Sequence, residues 1–244
     1  STLGLPDDPS LGPAGNGTAR AACVAAVTAL PSTRCKNEAT VRELCAHTYI
    51  FIGGMHHSGT GALRAALRDH NPALVSPHAR TNTVEDEGKY IQSVYGRVAT
   101  FEAKIWHCAF IEARADEHRY GPHTEGALHR DEADALAASP RGAELLFTQW
   151  ARFWDLRKPV LVEKTPLNLL RTRFLDALFP HVARFAVVVR HPFGCCAMQH
   201  RAMFGHMQAD ETGFTAGRSK AVFKRLAATL HYWTAKHGVF EEDA

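Results

Sequence analysis

The sequence predicts an α/β fold in which a central parallel sheet is flanked by helices, and three segments carry that prediction. Residues 48–61, TYIFIGGMHHSGTG, pass from an apolar run into a glycine-bounded loop and then into a helical pattern. PVLVEKTP at 159–166 and RFAVVVRHP at 184–192 repeat the device, each an apolar run that ends in charged residues and a proline. Apolar runs rich in β-branched residues, with no polar alternation, are the mark of strands buried on both faces. In sheets of that kind ligands bind outside the carboxyl ends of the strands. The three runs are therefore expected to deliver the loop containing His57, together with Lys164 and Arg190, to one rim.

Taken in order, residues 1–20 are rich in Gly, Pro, Ser and Asp and predict a linker or stem with little structure. Residues 21–30 and 38–47 each suit a short helix, so that 1–47 forms a stem or buttress ahead of a domain spanning 48–244. After the first strand, Leu63, Ala66, Leu67 and His70 recur at helical spacing and Asn71-Pro72 ends the helix. A further helix is expected near 86–95, a weakly patterned strand near 104–110, a His-rich loop at 116–130, and helices at 131–138 and 141–156. The last of these sets Leu145, Leu146, Gln149, Trp150 and Phe153 along one face. Trp150, Trp154 and Trp233 are expected in the core, with adenine stacking as the other use of such a ring. An apolar strand at 159–162 leads to Thr165 as N-cap and Pro166 at the first helical position. A second strand, 185–189, leads through His191-Pro192 into another helix.

Composition excludes several classes. The chain has 244 residues, 45% of them hydrophobic, which suits one α/β domain, and a formal charge of +3 is too mild for a nucleic-acid surface. No apolar stretch approaches the ~20 residues that span a bilayer, so membrane attachment would need a segment not present in this sequence. Cys23, Cys35 and Cys45 at loop-compatible spacing and the sequon Asn16-Gly17-Thr18 favour a secretory, lumenal location such as the Golgi, against which stand plain buried thiols and a chance sequon in a cytoplasmic protein. Cys195-Cys196 reads as packing. The fifteen histidines lack HExxH or any recurring ligand spacing, so no metal is expected.

The loop at 54–61 has the character of a phosphate cradle. Glycines let backbone N–H groups close on an anion, and the helix behind adds the positive end of its dipole. Gly54 and Gly59 reproduce the first part of the nucleoside-triphosphate signature GxxxxGK[ST], which makes the expected fold P-loop-like and three-layered. Thr60 and Gly61, however, stand where Lys and Ser/Thr belong. That substitution argues against a kinase and for a phosphate ligand handled without Mg²⁺.

GMHHSGTG, VEKTP and VVVRHP, in that order over about residues 48–240, together resemble the sulfotransferase superfamily, which transfers a sulfuryl group from 3′-phosphoadenosine 5′-phosphosulfate (PAPS). The resemblance is nearer to the Golgi-type, glycan- or tyrosine-modifying branch than to the cytosolic enzymes. It implies a donor site made of His57, Ser58, Gly59, Thr60, Gly61, Lys164 and Arg190, with Met198 at the remaining 3′-phosphate position. Two residues depart from the family pattern: His57 replaces the usual Arg or Lys and must be protonated to supply the same charge, and Met198 replaces a serine. Lys164 is expected on the bridging oxygen as the S–O bond breaks, its other reading being a solvated strand-end lysine paired with Glu163. For the base that takes the acceptor proton, the run Glu85-Asp86-Glu87-Gly88 resembles an acidic-Gly motif of the glycan-sulfating members. Glu87 is favoured over Glu85, with a solvated helix start as the other reading and His107 as the histidine alternative. The implied partners are PAPS or its desulfated product and a glycan, tyrosine or other hydroxyl or amine acceptor. A non-catalytic nucleotide- or glycan-binding relative of the same fold is the rival function.

Overall fold

The structure is a computed structural model and describes residues 16–30, 37–95, 142–191, 194, 238, 240 and 241. Among the described residues four strands form one sheet: β1 (Thr48–Gly54), β2 (Val75–Pro77), β3 (Val160–Lys164) and β4 (Ala183–Val188), in the order β2-β3-β1-β4 with every pairing parallel. The helices are α1 (Asn16–Ala29), α2 (Glu38–Leu44), α3 (Thr60–His70), α4 (Gly142–Ala151) and α5 (Thr172–Leu178).

Strand β1 lies at the centre, and its period-two alternation divides the core. Tyr49 and Phe51 face a large aromatic layer with Phe147, Trp150, Trp154 and Phe179, where ring centroids lie 4.6–6.5 Å apart. Ile50 and Ile52 face the other way, against Val75, Val162 and the α3 residues Leu63 and Leu67. A sheet covered on both sides is the consequence, and it supplies the three layers that the unbroken apolar runs imply. Gly53 is required by packing, because a Cβ there would lie 2.5 Å from the Leu169 amide nitrogen, in the turn that follows β3.

The N-terminal helices share the aromatic layer. Cys23, Val27, Val41, Leu44 and Cys45 belong to the same buried cluster, and a disulfide joins Cys23 to Cys45 with their Cα atoms 5.7 Å apart. The Tyr49 hydroxyl donates to the Leu44 carbonyl at 2.7 Å, tying the end of α2 to β1.

Several elements differ from the sequence reading. Helix α1 begins at Asn16 rather than after residue 20, since the alanine-rich run from Ala19 favours helix and Cys23 and Val27 anchor it. Residues 84–90 form two short 3₁₀ turns, Val84–Asp86 and Gly88–Tyr90, in place of a helix over 86–95. The backbone of Gly88 is engaged elsewhere: its N–H donates to Glu163 and its carbonyl accepts from Trp150. Helix α4 stops at Ala151, and Leu145 is 40% exposed because Ala143, Leu146, Phe147 and Trp150 form the buried stripe. Strand β3 runs on through Glu163 and Lys164, β4 begins at Ala183 and is only half-buried over its last four residues, and the Thr165 side chain makes no helix cap. The segments 104–110, 116–130 and 131–138, along with Cys35, His107, Cys195, Cys196, Met198 and Trp233, lie outside the described residues.

Candidate functional site at the carboxyl rim of the sheet

The parallel register brings the three motif segments to one edge. Ile52 pairs with Lys164 and Gly54 with Val188, so the loop after β1, the end of β3 and the residues following β4 all leave the sheet at the same end. The loop turns sharply. Gly54 has φ 152°, and a Cβ there would meet the Val188 carbonyl at 2.6 Å; Gly59 has φ 113° and His57 φ 63°. The Ser58 N–H donates to the Met55 carbonyl at 3.0 Å, which closes the loop on itself.

Helix α3 then starts with Gly59 at its N-cap and no side chain capping it. First-turn N–H groups of a helix have no intrahelical acceptor, so those of Thr60 and Gly61, next to the loop, offer donors with the helix dipole behind them. Beside them the Ser58 hydroxyl is buried and has no hydrogen-bond partner among the described residues. A buried hydroxyl costs free energy unless a partner arrives, and here an anion would supply one.

Lys164 is fully buried, and it pairs with neither solvent nor Glu163. Adjacent strand residues face opposite sides of a sheet, so the two cannot meet. Its ammonium instead donates to Glu85 Oε2 at 2.6 Å and Glu87 Oε1 at 3.0 Å, and Glu87 Oε2 receives Lys89 Nζ at 2.7 Å. Glu87 is buried between the two lysines, while the Glu85 side chain is 64% exposed. The hydrogen bond from Lys164 holds the Glu85 carboxyl below the ordinary glutamate value, against a partial opposing effect of burial. A Cβ on Gly61 would lie 3.7 Å from Glu85 Oε2, so this carboxylate stands over the first turn of α3.

The acidic turn is held in an unusual backbone shape. Glu85 and Asp86 both have φ 53°, a left-handed conformation that costs non-glycine residues free energy. Neighbours determine it. Asp86 Oδ1 accepts from the Thr81 amide at 2.9 Å and its hydroxyl at 2.8 Å, and Arg64 Nη1 from α3 donates to the Glu85 carbonyl at 2.8 Å.

Arg190 is exposed at the rim, and its Nη1 donates to the His57 carbonyl at 3.0 Å. Burial pulls the His57 imidazole below its ordinary value; Glu85 opposes this and Arg190 adds to it. Burial thus favours the neutral imidazole, and the Arg190 guanidinium is the fixed positive charge at this corner.

The rim thus joins Ser58, Gly59, Thr60, Gly61, Lys164, Glu85 and Glu87, with His57 and Arg190 in contact with each other; Met198 and His107 fall outside the described residues. Sequence reasoning gave Glu163, Gly88, Lys89 and Trp150 no part in holding the acidic turn. One signal was available: in a strand buried on both faces, a glutamate beside Lys164 must itself be buried and needs donors. Among the described residues, no group of three or more His, Cys, Asp or Glu side chains could hold a metal ion. A model of the sulfotransferase family matches residues 49–242. No curated protein and no solved structure matches the chain.

Proposed function

Because the chain belongs to the sulfotransferase family, we propose that it moves a sulfuryl group from PAPS to a hydroxyl or amine of a glycan, tyrosine residue or related acceptor. One observation carries this reading. A fully buried lysine and a buried serine hydroxyl that has no partner among the described residues flank the uncapped start of α3, and together they support a site for a doubly charged 5′ end. The residues fit the donor. Ser58 and the N–H groups of Gly59, Thr60 and Gly61 would hold the 5′-phosphate, and Arg190 the 3′-phosphate.

Sulfuryl transfer passes through a loose in-line transition state, so positioning and charge stabilisation supply most of the acceleration. The acceptor oxygen forms a bond to sulfur as the bridging S–O bond breaks, and the leaving phosphate oxygen takes up negative charge. Lys164 would meet that charge. In doing so it loosens its hold on Glu85, whose carboxyl then recovers basicity and accepts the acceptor proton. We assign the base to Glu85 ahead of Glu87, reversing the order that the sequence suggests. Glu85 is largely exposed where an acceptor would approach, whereas both oxygens of Glu87 are occupied by lysines.

The Cys23–Cys45 disulfide supports residence in an oxidising compartment, and we place the protein in the secretory pathway on that basis. Calorimetry with desulfated donor in EDTA, followed by a radiolabelled sulfate-transfer screen over polysaccharides, tyrosine peptides and small alcohols, tests the function. Binding without metal, weakened by Arg190→Ala, is expected. Absence of binding would overturn the donor assignment, and binding with no turnover on any acceptor would favour the non-catalytic relative.

A further inference from the structure

Glu163 is buried at this rim although neither the donor contacts nor the proton transfer uses it. Its side chain is completely enclosed, and three donors converge on it: the Gly88 N–H at 2.9 Å and the Thr165 hydroxyl at 2.5 Å on Oε1, and the Asn168 amide on Oε2. Burial pushes its carboxyl up, the three hydrogen bonds pull it down, and neighbouring Glu87 adds to the rise. A group of this kind is expensive to enclose and would be replaced by an apolar one unless its acceptor oxygens were needed.

The Gly88 contact shows where the need lies. Trp150 Nε1 donates to the Gly88 carbonyl at 3.0 Å while Glu163 accepts from its N–H, so both polar groups of this one peptide segment are gripped from β3 and α4. The approach is so close that a Cβ on Gly88 would lie 2.8 Å from Glu163 and 2.9 Å from His78. Glu87 and Lys89, the residues on either side, are thereby turned toward Lys164 and toward each other. Strand alternation explains the arrangement: Glu163 and Lys164 leave opposite faces of β3, the first fastening the acidic turn and the second receiving its carboxylates.

We propose that Glu163 is a positioning residue which, through the Gly88 N–H, sets Glu85 and Glu87 on Lys164. This rests on reading the rim as the donor site, and it predicts that acceptor capacity at residue 163 matters while its charge does not. Glu163→Gln keeps an oxygen for the Gly88 N–H; Glu163→Ala removes it; Glu163→Asp keeps the charge but draws it back by one methylene.

The test is a carbon-13 NMR titration of the Glu85 carboxyl, which senses Lys164 together with Arg64, His57 and Glu87, in each variant shown by circular dichroism to be folded. Expected is a titration near that of the parent for Gln, and a rise toward the ordinary glutamate value for Ala, or for Asp if Ala does not fold. Trp150→Phe, which removes the grip on the Gly88 carbonyl, should move it in the same direction by less. With an acceptor found, kcat should fall about 10–100-fold in Ala or Asp with donor KM little changed, and recover in Gln. Equal shifts in Gln and Ala would overturn the proposal in favour of a charge effect, and an unmoved Glu85 titration in both Ala and Asp would overturn it outright. Neither result depends on donor binding, so failure of the unaltered protein to bind desulfated donor would count against the function alone.

Discussion

Replacing Lys164 by Met separates what the lysine does for the fold from what it does for the reaction. The methionine keeps most of the stem's volume, so packing changes little. What is lost is a buried cation, and removing one partner from a buried ion pair costs about 3–5 kcal/mol. Two features place this case below that range. Glu85 is 64% exposed, so water screens its share, and Glu87 keeps Lys89 at 2.7 Å. The expected loss is about 2–3 kcal/mol, carried mainly by Glu87. For a domain of this size that moves the urea midpoint down by about 1 M with the slope unchanged. The double variant Lys164→Met/Glu87→Gln removes the uncompensated negative charge but leaves buried Lys89 with a neutral partner, so it should recover only about half of the loss. Sulfate transfer should behave differently. Both variants lose about 10²–10³ in turnover, because neither restores positive charge at the leaving oxygen. A single variant with the parent's urea midpoint would refute the buried ion-pair argument, and a double variant that regained turnover would refute the role in catalysis.

Ser58→Ala should leave stability nearly untouched, shifting Tm by less than about 2 °C, because the hydroxyl has no partner to lose among the described residues. Desulfated donor should nevertheless bind about tenfold more weakly by calorimetry. Reduction of the Cys23–Cys45 bond, 22 residues apart in the chain, should cost about 3.4 kcal/mol from loop entropy, measured as paired urea melts of the parent and a Cys23→Ser/Cys45→Ser variant. The Glu85 carboxyl titrates below its ordinary value of 4.5, so its pairing with Lys164 stabilises the fold above that pH and is lost as pH falls through the depressed value. Glu85→Gln should therefore unfold at a urea concentration closer to the parent's in acid than at neutral pH; a constant difference across that range would contradict the assignment.

Much of the architecture was legible from local pattern. The β-branched runs, the Asn71-Pro72 stop and the glycine-bounded loop act through short-range sterics, and they identified β1, α3, β3, β4 and the shared rim without long-range information. The acidic turn was legible only as composition. Asp-Glu-Gly near a helical pattern favours a helix start, but the Gly88 amide and carbonyl are taken by Glu163 and Trp150, which lie 75 and 62 residues away in the chain. Whether His57 carries the charge it would need was not legible either, since burial and the position of Arg190 act on it.

From the sequence by itself came the residue types at the rim, because strand ends and glycine loops are encoded within a few positions of each other. Tertiary structure decided their states: which carboxylate is buried, which is exposed, and which of them Lys164 holds. Those depend on the dielectric surroundings and on contacts between distant segments, and the energy of a charge is set by what surrounds it in space rather than along the chain.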